Sequence, residues 1–163
     1  MYVGSTSTNV KVYSNKVHDI RQLSTSTSVT YGIYVATSTT TGIISVYNNF
    51  IWNIIVPPTG TGTIYGIYSG TANSTTPDVF AYNSVYLSTT SASNRLSYGF
   101  YRGSTSGLAN LYNNILHNVS INGTTGIAYA IGKTGTTANL VSNNNNLYSK
   151  EIDMKTKEIS KKG

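Results

Sequence analysis

A nine-residue pattern returns five times along this chain, and nothing else in the sequence restricts the fold as much. VYSNKVHDI begins at Val12, VYNNFIWNI at Val46, FAYNSVYLS at Phe80, LYNNILHNV at Leu111 and SNNNNLYSK at Ser142. The aligned asparagines are Asn15, Asn49, Asn83, Asn114 and Asn145, spaced 34, 34, 31 and 31 residues apart. A second marker keeps the same phase: YGIY at Tyr31–Tyr34, YGIY at Tyr65–Tyr68, YGFY at Tyr98–Tyr101 and YAIG at Tyr129–Gly132. Two markers in phase over four repeats define a chain of stacked, similar units.

The repeats contain short β-branched and aromatic runs separated by linkers such as STSTSVT and PPTGTGT, with no 3.6-residue periodicity. The expected fold is therefore all-β. Three apolar columns follow from the alignment. They are Val12, Val46, Phe80 and Leu111; Val17, Ile51, Val85, Leu116 and Leu147; and Ile33, Ile67, Phe100 and Ile131. Each coil of such a solenoid buries its apolar residues on those of its neighbours, with strands paired in parallel about 4.8 Å apart. Residues 1–149 form this domain, and the lysine-rich segment 150–163 reads as a tail or cap.

Composition agrees. Charged residues are only 10% of the chain, yet there are 14 tyrosines, which argues against disorder. The net charge of +6 is spread thinly, with Lys11, Lys16, Arg21, Arg95, Arg102 and Lys133 scattered through the repeats. A nucleic-acid partner would require clustering, so none is expected. No run of 18 apolar residues predicts membrane insertion. The absence of cysteine removes disulfides and thiolate metal sites. The opening MYVGSTSTNV lacks the basic and apolar regions of a signal peptide, which leaves an intracellular protein or a mature or excised piece.

The V-Y-x-N-x-V/I units around Asn15, Asn49, Asn83 and Asn114, with a G-I/F unit half a coil later, resemble the right-handed parallel β-helix of the pectate-lyase-like superfold. They resemble in particular the repeats of bacterial secreted and cell-surface proteins. The resemblance covers about residues 9–149 and implies about five coils of 31–34 residues. It favours a piece of a secreted or surface protein. Lyases and glycoside hydrolases of this fold use clustered carboxylates, whereas the repeats here hold only Asp19 and Asp78. No paired carboxylate for glycoside hydrolysis is seen, no repeated calcium motif occurs, and no catalytic residue, metal ligand or cofactor is expected.

Two columns are candidate sites. The five asparagines read as a structural ladder, each amide bonding along the stack. Three residues after each asparagine stands a ring: His18, Trp52, Tyr86, His117 and Tyr148. Alternation turns this stripe outward. It reads either as rings stacked on one another or as a platform for a polysaccharide. Tyr31, Tyr65, Tyr98 and Tyr129, with Tyr34, Tyr68 and Tyr101, make further ring columns that read as stacking. His18 and His117, three coils apart, are too distant to share a metal ion. Arg95 and Arg102 flank the third tyrosine motif, where they read as solvated surface residues or, alternatively, as a complement to an acidic saccharide. Asn73, Asn118 and Asn122 match the N-glycosylation pattern, as chance allows in so Asn- and Thr-rich a chain.

The expected role is a non-enzymatic structural, adhesive or assembly element. The alternatives are a carbohydrate-binding module using the ring stripe, or a non-catalytic fragment of a polysaccharide-degrading β-helix enzyme. The partners anticipated are a polysaccharide, another surface protein, or further copies meeting at the coil ends.

Overall fold

The computed structural model describes residues 1–150 except 7–8, 26, 38–41, 71–75 and 136–138. The proposed tail 150–163, apart from Lys150, and the Asn73 glycosylation pattern lie outside the described residues. Within them every regular element is a strand, and every pairing between strands is parallel.

Three five-stranded sheets run the length of the molecule. Sheet I, ahead of each ladder asparagine, holds Asn9–Tyr13, Ile43–Tyr47, Asp78–Ala81, Ala109–Tyr112 and Leu140–Asn143. Sheet II, after the asparagine, holds Lys16–Val17, Phe50–Ile51, Ser84–Leu87, Ile115–Asn118 and Asn146–Ser149. Sheet III carries the tyrosine motif in Tyr2–Ser5, Thr30–Thr37, Ile64–Ser69, Leu96–Arg102 and Ile127–Lys133. The chain is a parallel β-solenoid of about four turns with a repeat of about 32 residues. The expectation of five coils counted rungs, and five asparagine rungs enclose four complete intervals.

Registers match the sequence columns. Val12 pairs with Val46, Val46 with Phe80, and Phe80 with Leu111. Ile33 pairs with Ile67, Ile67 with Phe100, and Phe100 with Ile131. These residues and Ile51, Val85 and Leu116 form one interior core, because period-2 alternation sends every second side chain inward. The core thins at the last rung, where Ser142 stands opposite Leu111 and Leu147 is exposed.

The turn between sheets I and II is made by one residue of positive φ before each asparagine. Ser14, Asn48, Tyr82, Asn113 and Asn144 lie at φ 53, 54, 56, 52 and 54°. Asn is among the residues that tolerate this left-handed conformation. A second such turn, at Asp19 and Asn53, bends the first two coils into the short pair Ile20–Arg21 and Ile54–Ile55. The third and fourth coils lack it, and their sheet II strands run on to Leu87 and Asn118 before the pair Thr90–Ser91 and Ile121–Asn122.

Candidate functional site

The asparagines behind the first turn form a continuous ladder. The Nδ2 groups of Asn15, Asn49, Asn83 and Asn114 donate to Oδ1 of the next asparagine at 2.9, 2.9, 3.0 and 2.9 Å. Their backbone N–H groups donate to the same oxygens at 3.1, 3.1, 2.9 and 2.8 Å. Each later rung also reaches back, with Nδ2 of Asn49, Asn83, Asn114 and Asn145 donating to the carbonyls of Val12, Val46, Phe80 and Leu111. Asn49, Asn83 and Asn114 are buried, and a buried amide is stable only when satisfied in this way.

The predicted ring stripe falls into two groups. His18 stacks on Trp52 at 4.3 Å and 17°, and Phe50 leans on Trp52 at 4.3 Å. Tyr86, His117 and Tyr148 instead meet edge to face, at 5.4 Å and 86° and at 4.6 Å and 70°. His18 Nδ1 also lies 2.6 Å from Asp19 Oδ2, and Asn53 Nδ2 donates to Asp19 Oδ1. These hydrogen bonds, His18 first, hold the Asp19 carboxyl below its usual range.

Sheet III bears the larger aromatic surface. Tyr31, Tyr65, Tyr98 and Tyr129 stack at 5.3, 5.5 and 5.0 Å with planes within 15°. The second column, Tyr34, Tyr68 and Tyr101, packs beside the first, with Tyr31 and Tyr34 at 4.8 Å. Both columns lie on the outer face although only two residues stand between their members, because the glycine and the apolar residue after it are both buried. Gly66 is required there, since a Cβ would lie 2.3 Å from Val85 Cγ1 and 2.6 Å from the Gly99 carbonyl. Burial, then the neighbouring phenols, pushes Tyr65 up to about 12 and raises Tyr31, Tyr68 and Tyr98 as well. In the stacked column, ring faces meet along the solenoid axis, so the exposed part of each ring is its edge.

The two arginines overturn the expectation of solvated side chains. Arg95 is 2% and Arg102 0% exposed. Strand alternation is the cause: Arg102 stands two residues after inward Phe100, in register with Ser69, which pairs with Val35. Asp78 likewise takes an inward position in sheet I, in register with Ala109. Arg102 Nη1 donates to Asp78 Oδ2 at 3.0 Å and to Ser69 Oγ at 2.6 Å, and Nη2 donates to the Ser106 carbonyl at 3.0 Å. Burial lowers the Arg102 pKa and the Asp78 charge opposes that shift.

A polar sector of the interior was also missed. Asn118 and Asn122 both bond Ser97 Oγ inside the last coils, Asn122 Nδ2 donating at 2.8 Å and Asn118 Nδ2 at 3.0 Å. Both asparagines are fully buried, so these two glycosylation patterns are closed to modification in the folded chain. The signal lay in their spacing: Asn118 follows inward Leu116 by two residues.

No group of three or more His, Asp or Glu residues is placed to hold a metal among the described residues. Comparison of the chain with protein-family models, curated proteins and solved structures finds no match.

Proposed function

We propose that this chain is a non-enzymatic structural, adhesive or assembly segment of a secreted or cell-surface protein, a stiff spacer made of stacked coils. One observation carries the reading: the polar side chains retained by the repeat spend their hydrogen bonds on the neighbouring coil, from Asn15 through to Asn145. The stacked tyrosines of sheet III do the same with their ring faces. Side chains used in this way stiffen a rod and are not available to a substrate. Placement outside the cell follows from the resemblance to bacterial surface repeats. The test is incubation with a panel of polysaccharides. No depolymerisation is expected, and turnover abolished by a single substitution refutes the proposal.

A second reading, carbohydrate binding, has one observation in its favour. Tyr86 and Tyr148 are exposed and meet His117 edge to face, and a ring in such a pair has a face its neighbour leaves uncovered. Glycan-array binding that is lost in Tyr86→Ala, with Trp52 fluorescence shifting on addition of the same glycan, favours this reading over a purely structural one.

A further inference from the structure

Arg95 is a buried cation with no counter-charge among the described residues. It lies two residues before inward Ser97, and alternation turns it into the solenoid. The Pro57–Gly60 turn of the preceding coil covers it, Nη2 donating to the Pro57 carbonyl at 3.0 Å and to the Gly60 carbonyl. The following coil closes the other side, where the Arg95 N–H donates to the Asn122 carbonyl and Gly126 approaches so closely that a Cβ would lie 2.4 Å from the Arg95 oxygen. Nε and Nη1 are buried and have no hydrogen-bond partner among the described residues. The two acidic residues of the described chain are engaged elsewhere, Asp19 with His18 and Asn53, and Asp78 with Arg102.

A guanidinium stays protonated in proteins, so Arg95 cannot relieve its burial by losing a proton. Water on Nε and Nη1 would satisfy the donors and leave the charge uncompensated in a medium of low dielectric. A small anion satisfies both. Arg95 is only 2% exposed, which excludes a carboxylated sugar, and its own two unpartnered groups, Nε and Nη1, are both donors, which suits an ion that brings no proton of its own. We propose that the interior of the third coil binds a small monovalent anion of the halide class on Arg95 Nε and Nη1.

The test is thermal unfolding of the full chain at constant ionic strength, with gluconate exchanged for chloride or bromide. Saturable stabilisation is expected, with Tm rising by about 5–10 °C from half-saturation to a hundredfold excess. Arg95→Leu is expected to abolish that dependence. Should Arg95→Leu fail to fold, crystals of the unsubstituted chain grown in bromide give the second readout, an anomalous peak beside Arg95. A Tm indifferent to halide, an equal halide response in Arg95→Leu, or water on both donors with no anomalous peak overturns the proposal.

Discussion

Asp78 and Arg102, 24 residues apart, form an ion pair at 3.0 Å with both side chains fully buried. They stand at inward positions that other coils fill with Ala109 and Val35. Breaking such a pair leaves a charge in the interior. Asp78→Asn is expected to cost about 3–5 kcal/mol of folding stability, measured by urea unfolding. Because the apolar alternative already exists in this fold, Asp78→Val with Arg102→Met should recover most of that loss. A double variant as unstable as the single one contradicts an inward placement of these two side chains.

The ladder makes its central rungs more valuable than its ends. Asn83→Ala removes two bonds donated by its Nδ2 and two accepted by its Oδ1. The expected cost is about 2–5 kcal/mol, from lost hydrogen bonds and buried donors left without acceptors. Asn15, on the first rung and partly exposed, should cost only about 1 kcal/mol when changed to alanine. Equal losses at the two positions would mean that the ladder does not act through burial.

Tyr82 occupies the left-handed corner at φ 56°, where three other coils place asparagine. A bulky side chain in that conformation is strained, while asparagine tolerates it. The ring itself is 60% exposed, so little packing opposes its removal. Tyr82→Asn should therefore stabilise the chain by about 1 kcal/mol, which for this size raises Tm by about 2–4 °C.

Alkaline pH should unfold the tyrosine face. A phenol in the unfolded chain titrates near pH 10, whereas burial holds Tyr65 at about 12 in the folded chain. Between those values the unfolded state carries fewer protons, so stability falls as pH rises. The contribution is complete below about pH 10 and lost as pH passes about 12. Circular dichroism followed with tyrosinate absorbance should show secondary structure lost within that window, and less so in Tyr65→Phe.

Much of this architecture is legible in the sequence because it is periodic. Val46, Asn49 and Ile67 each have an equivalent one repeat away, and a column of equivalents is what parallel stacking produces. Asp78 and Arg95 have no like-charged equivalents in register, and Arg102 has only the exposed Lys133, so the repeat pattern gives no sign of their burial. Their burial follows from alternation within single strands, and that rule outweighs the usual preference of arginine for the surface. The second turn at Asp19 and Asn53 was hidden for another reason. It depends on a backbone conformation that two coils adopt and two do not. The His18 stripe was legible as a column, but its division into a stacked and an edge-to-face group depends on side-chain angles that spacing does not encode.

The asparagine ladder locks each coil to the next. Native-state hydrogen exchange tests it at single residues, since the backbone N–H groups of Asn49, Asn83 and Asn114 each donate to the following asparagine's Oδ1. These three amides should exchange only through global unfolding, with protection equal to the full unfolding free energy. Exchange at the rate of an exposed loop amide such as that of Asn94 would show that the ladder does not hold the coils together.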